Sequence, residues 1–271
     1  MSADARGTIS KATSKDGTII AYEKQGQGPA VILVPGALTT RLGWSGTGMA
    51  RLLAPKYTVI AYDRRGRGDS GNTLPYALER EIDDIESLID QTGGEACLYG
   101  HSSGAALVLE AALRLGDKVR KIALYEAPYN DDPRAQSAWK DYIKELTELL
   151  AQDRGGDAVA LFMKYLRTPA EQIEGMRHAP SWPGLAAIGH TLAYDHTAIL
   201  GDSAAVPVER VARIKVRTLV MGGSASYPFM RETARTLSRA IPGAQLRILE
   251  GQKHEVNAEV QAPVLAEFFQ G

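Results

Sequence analysis

An α/β fold is predicted for this chain: a mostly parallel central sheet, helices on both faces and one helical insertion. Three observations predict it. Short apolar runs alternate with helical stretches along most of the 271 residues. One long segment between two such blocks has no strand signal. A glycine-flanked serine stands at the junction of a strand and a helix, at Gly100-His101-Ser102-Ser103-Gly104.

An early strand is expected at Thr18–Glu23, where apolar and polar residues roughly alternate. Ala30–Val34 is continuously apolar, as a strand covered on both faces must be. Thr58–Ala61, Ala96–Tyr99, Ile122–Tyr125, Thr218–Met221 and Leu246–Leu249 repeat the pattern. Helices are expected between most of them, including Arg80–Gln91 and Ala105–Leu115, the second stopped by Gly116. Alternation of this kind implies parallel pairing with helical crossovers.

From residue 129 to 206 the rhythm breaks. Pro133–Leu150, Asp157–Leu166, Ala170–Arg177 and Gly184–Leu192 read as helices, punctuated by Gly155-Gly156, Pro169, Pro180 and Pro183. Strands resume afterwards, so residues 1–128 and 207–271 are assigned to one core domain and 129–206 to a helical cap. Trp139, Tyr142, Phe162, Met163, Tyr165, Met176 and Trp182 are its candidate acyl-pocket residues.

Composition narrows the function classes. Hydrophobic residues make up 44% and charged residues 23%, with a formal net charge of −1. That balance offers no basic patch for a nucleic acid or an anionic membrane. One cysteine, Cys97, excludes an internal disulfide and fits a reducing compartment. No apolar run approaches membrane-spanning length. A cytoplasmic protein acting on a small molecule is expected, with the oligomeric state open.

The serine motif carries the chemistry. G-x-S-x-G between a strand and a helix forces its central residue into a strained turn, and glycines at both ends remove Cβ atoms that would clash. Ser102 is thereby lifted off the sheet as a candidate nucleophile. Gly66-Arg67-Gly68-Asp69-Ser70-Gly71 formally matches a dinucleotide fingerprint. It comes after Asp63-Arg64-Arg65 in a later loop rather than opening a helix after the first strand, so it is set aside. Asp63 is expected to organise that loop.

The segments VILVPGALTTRLGW (31–44), VIAYDRRGRGDSG (59–71), LYGHSSG (98–104), VRTLVMGG (216–223) and LEGQKHEV (249–256) together resemble the α/β-hydrolase superfamily, in its order and over nearly the whole chain. The resemblance implies an α/β-hydrolase fold, an ester- or thioester-cleaving serine enzyme with an acyl-enzyme intermediate, and no metal or organic cofactor. It places the base at His254. It places the oxyanion donors at the backbone N–H groups of Ser103 and Ala37, with Leu38 next in line, although Pro35-Gly36 stands where the family has His-Gly. His101 is expected to face away from the nucleophile.

The acid departs from the family pattern. Ser226 occupies the position of the usual aspartate after the seventh strand, and no carboxylate lies between Glu209 and Glu232. Glu126, ending the strand Ile122–Tyr125, is the best substitute, since some haloalkane dehalogenases of the superfamily draw their acid from that strand. Asp131 and Asp132 are weaker rivals. Ser102 stands where dehalogenases and epoxide hydrolases use an aspartate, which argues against those activities. A cofactor-free lyase or oxygenase, and a non-catalytic binding protein on the same fold, are the alternatives.

Overall fold

A computed structural model describes residues 8–42 and 46–271. Trp44, in the first quoted segment, lies outside the described residues. Eight strands form one sheet: β1 (Ser10–Thr13), β2 (Ile19–Gln25), β3 (Ala30–Val34), β4 (Thr58–Tyr62), β5 (Ala96–His101), β6 (Val119–Tyr125), β7 (Arg217–Gly223) and β8 (Gln245–Leu249). Their order is β1-β2-β4-β3-β5-β6-β7-β8. β1, β2 and β4 pair antiparallel, and every pair from β4 to β8 is parallel.

Every residue of β3 and β4 is buried, which explains their unbroken apolar sequence. Helices α2 (Leu78–Asp90), α3 (Ser103–Leu115) and α9 (Pro228–Ala240) supply the core of one face. Helices α1 (Gly46–Leu53) and α10 (Ala258–Gln270) supply that of the other. After β3 the chain moves to β4 on one side, and β5 then lies on the other. The strand order reverses there, at the carboxyl ends of β3 and β5, the usual ligand position in open α/β sheets.

Between β6 and β7 the described chain is helical: α4 (Pro133–Ala151), α5 (Gly155–Tyr165), α6 (Ala170–Arg177), α7 (Trp182–Ala187), a 3-10 turn (Gly189–Thr191), a π-helical turn (Ala193–Ile199) and α8 (Val208–Val211). Hydrogen bonds close the ends of this segment: Asn130 N donates to Ala204 O at 2.8 Å, and Val206 N to Asp131 Oδ1 at 2.9 Å.

Three sequence expectations need correction. β1 is an additional strand that the pattern does not signal, because only Ala12 of its four residues is buried and an edge strand needs no apolar run. The predicted helix Gly184–Leu192 is split, with α7 ending at Ala187. Gly155 does not punctuate the helices but starts α5. The last two share one cause, a close crossing where a Cβ on Gly155 would lie 2.6 Å from Ala186 O and one on Gly189 would lie 2.3 Å from Gly155 O.

Candidate active site

Ser102 comes after the last residue of β5 and precedes the first of α3. Its φ is +55°, a left-handed conformation costly for a residue with a Cβ. The surroundings hold it there. A Cβ on Gly100 would lie 2.5 Å from Gly104 O, and one on Gly104 would lie 2.3 Å from Val34 O. Ser102 N–H donates to Tyr125 O of β6 at 2.9 Å. Gly36, just after β3, packs so closely that its Cβ would stand 2.9 Å from the Ser102 Cβ.

Glu126 stands directly after β6 and also has a left-handed φ, +50°. Its side chain is buried, and three donors converge on it. Gly223 N–H donates to Oε1 at 2.8 Å, while Ser226 Oγ and His254 Nδ1 donate to Oε2, each at 2.8 Å. Burial by itself raises the carboxyl pKa. The bonds from His254, Gly223 and Ser226 outweigh it and hold the group below the ordinary carboxylate range. A carboxylate only accepts, so His254 carries a proton on Nδ1, and Nε2 is the nitrogen left for proton transfer.

Ser226, in the position of the usual aspartate, directs its hydroxyl to Glu126. The rival carboxylates are engaged elsewhere: Asp131 accepts from Val206 N, and Asp132 caps α4 through Arg134 N at 2.7 Å. Asp63 organises its loop by accepting from Arg41 N at 2.7 Å and Asp69 N at 2.9 Å.

His101 faces the histidine loop. Its ring lies 4.9 Å from that of His254 and stacks on Tyr125, and its Nε2 donates to His254 O at 2.9 Å. Tyr125 adds a second clamp, donating its hydroxyl to Lys253 O at 2.5 Å. Burial pushes the His101 pKa down to about 4, so the ring is neutral at pH 7.

A buried ionic cluster beside the elbow escapes sequence reasoning. Arg64, Arg67 and Asp195 are all fully or almost fully buried. Arg64 makes a bidentate pair with Glu81 at 2.6 and 3.0 Å and reaches Asp195 Oδ1 at 2.5 Å. Arg67 pairs with Asp195 Oδ2 and donates to Gly36 O at 2.6 Å. The only signal is Asp63-Arg64-Arg65, an unusual density of charge directly after a fully buried strand.

Among the candidate acyl-pocket residues, Trp139 and Tyr142 are buried in the core, where Tyr142 OH meets His196 Nδ1 at 2.7 Å. Phe162, Met163, Tyr165 and Trp182 are partly buried against that core. Among the described residues no cluster of His, Cys, Asp and Glu suits a metal ion, and no helix is long and apolar enough to cross a membrane.

Comparison with known proteins agrees with this architecture. The family described as "Alpha/beta hydrolase family" matches residues 31–267. An alpha/beta hydrolase from Sphaerobacter thermophilus is similar at 47% identity, covering 96% of this chain and 100% of that one, with a TM-score of 0.84. A thermophilic esterase from Thermogutta terrifontis shares the fold at 22% identity, 97% and 98% coverage, and a TM-score of 0.70. An enol-lactonase from Burkholderia xenovorans does so at 22% identity, 97% and 100% coverage, and a TM-score of 0.68. With a sheet, a strand order and a matched span of this extent, the chain belongs to the alpha/beta hydrolase family.

Proposed function

We propose that the protein is a serine hydrolase that cleaves a small carboxylic ester or thioester through an acyl-enzyme. The observation that carries this reading is the 2.8 Å bond between His254 Nδ1 and Glu126, taken together with the strained Ser102 at the strand-to-helix turn. It orients the imidazole so that Nδ1 faces the carboxylate and Nε2 is the nitrogen left to take a proton, which a serine nucleophile requires.

Ser102 Oγ attacks the acyl carbon and passes its proton to His254 Nε2. The negative charge on the former carbonyl oxygen is met by the N–H groups of Ala37 and Ser103. Glu126 stabilises the imidazolium formed in that step. The imidazolium then protonates the departing alkoxide or thiolate. Water, deprotonated by the same nitrogen, attacks the acyl-enzyme and frees the acid. The segment 129–206 acts as a lid that shapes the acyl pocket, and every step uses the chain's own groups.

Its fold relatives include an esterase and an enol-lactonase as well as meta-cleavage product hydrolases, so support for an acyl bond comes from the Ser102 site rather than from the fold. A fluorophosphonate probe tests the reading. We expect stoichiometric labelling of Ser102 by peptide mass spectrometry and turnover of p-nitrophenyl acetate or butyrate, both lost in Ser102→Ala. Labelling without turnover of any acyl ester points to another reaction on the fold. Absence of both points to a binding protein.

A further inference from the structure

We propose that Arg67, paired with Asp195 of the helical segment, is a positioning residue that aims the oxyanion-binding N–H of Ala37 at the reacting carbonyl. The inference rests on the serine-hydrolase reading above.

The argument starts from one peptide plane. The Gly36 carbonyl and the Ala37 N–H belong to the same peptide unit, which is trans, so they point in opposite directions. Whatever grips the carbonyl therefore aims the N–H. Arg67 Nη1 grips it at 2.6 Å. The plane comes after a glycine that touches Ser102, and the next residue but one, Leu38, is held at a left-handed φ of +53°. Glycine is free to rotate in either direction, so this peptide needs an external anchor.

Arg67 is itself held on all sides. Its Nε donates to Thr191 Oγ1 at 3.1 Å, and its Nη2 meets Asp195 Oδ2. The other oxygen of Asp195 accepts from Ser103 Oγ at 2.7 Å and from Arg64 Nη1. Arg64 also lies 3.3 Å from Pro35 O. One carboxylate thus holds Ser103 directly and, through Arg67, the Gly36–Ala37 peptide whose N–H is the other assigned oxyanion donor. That carboxylate sits on the π-helical turn Ala193–Ile199, an irregularity that recurs at functional sites. Arg67, Asp195 and Ser103 are each at most 1% exposed, so water cannot replace a lost partner. Burial opposes charge on Asp195, yet Arg64 and Arg67 outweigh it and hold its carboxyl at about 2.

Loss of the grip lets the Gly36–Ala37 peptide rotate and turn its carbonyl toward the developing negative charge. Removal of one oxyanion donor typically lowers kcat by about 10²–10³-fold.

The test compares Arg67→Lys, Asp195→Asn and a control, Arg65→Lys. Lysine keeps the charge but cannot serve Gly36 O, Thr191 and Asp195 in one plane. Arg65 makes an equally buried pair with Asp84, apart from the oxyanion peptides. Two readouts are taken: steady-state kinetics on p-nitrophenyl butyrate, and the affinity of an alkyl trifluoromethyl ketone. Ser102 Oγ adds to that ketone, its proton goes to His254, and the hemiketal oxygen carries the negative charge into the oxyanion site. Arg67→Lys should lower kcat by about 10²-fold with KM within about threefold, and weaken the ketone in proportion. Asp195→Asn should do the same to a lesser degree. Arg65→Lys should lower the Tm but leave ketone affinity unchanged.

The proposal is overturned if Arg67→Lys, or Asp195→Asn where the lysine variant does not fold, keeps kcat and ketone affinity within threefold of the parent. It is also overturned if ketone affinity falls equally in Arg65→Lys. Failure of the serine-hydrolase reading looks different: the parent itself then neither turns over the ester nor reacts with the fluorophosphonate.

Discussion

β5 and β6 run side by side and parallel, and each is followed directly by a residue with a left-handed φ: Ser102 at +55° and Glu126 at +50°. They differ in the chain beyond that residue. The β5 end turns at once into α3, and the close approach of helix to strand demands Gly100 and Gly104. The β6 end runs into a loop, with no glycine beside Glu126. In both, the strained residue's N–H is held by the next strand over: Ser102 N by Tyr125 O at 2.9 Å, and Glu126 N by Met221 O at 3.1 Å. A left-handed residue with a Cβ costs about 1–2 kcal/mol. Here the sheet absorbs that cost through the neighbouring strand, whereas the glycines answer only to the helix.

The comparison breaks first at the side chains. Ser102→Ala should reduce acyl-ester turnover by about 10⁶-fold while the protein stays folded, checked by kcat alongside circular dichroism. Glu126→Gln keeps the shape but removes the charge facing His254, and kcat should fall by about 10⁴-fold. Adding Ser226→Asp to that variant should recover part of the loss, because position 226 already touches the same carboxylate oxygen. No recovery would show that the charge works only from β6.

Backbone substitution sharpens the contrast. Gly104→Ala should destabilise by about 3 kcal/mol or more, read as a shift in the denaturation midpoint, because its Cβ would lie 2.3 Å from Val34 O. Glu126→Gly, by contrast, removes the β6 strain along with the side chain. It should be far milder in stability than in activity.

The most gradual effect concerns acid. Burial pushes His196 and His101 down to about 4, against about 6.5 in an unfolded chain. Between those values the unfolded chain binds protons that the folded one refuses, so each histidine lowers stability as pH falls, by up to about 1.4 kcal/mol per pH unit, and the effect levels off below 4. Asp84, raised by burial to about 6, acts in the opposite sense over part of that window. The share of one histidine is isolated by difference. The stability of the parent minus that of His196→Gln should shrink steadily from pH 6.5 to 4, measured by urea denaturation. A constant difference would mean that His196 titrates normally.

Most of the parallel sheet is legible in the sequence because a strand covered on both faces must be apolar throughout, as in Ala30–Val34. The elbow is legible because helix packing imposes glycines at fixed spacing. Glu126 stands out only because a charge ends an otherwise buried strand and the alternative position holds a serine. The Arg67–Asp195 pair is hidden for a physical reason. Its members are 128 residues apart. Charge in a loop reads as solvated until the tertiary fold buries it. The partner of His101 is hidden because a variable position in the serine motif carries no local signal of what the distant histidine loop brings to it.

The pairing of Ser226 with Glu126 also bears on ancestry. Relatives that differ in the strand supplying the acid need not be separated by an inactive intermediate. A carboxylate can arise at 226 while the one at 126 persists. The two would then share one site near His254, and mutual repulsion would keep one of them protonated at neutral pH. That protonated partner can donate a hydrogen bond much as the Ser226 hydroxyl does now. Either member can afterwards be lost by drift, and the site's formal charge stays constant along the whole route.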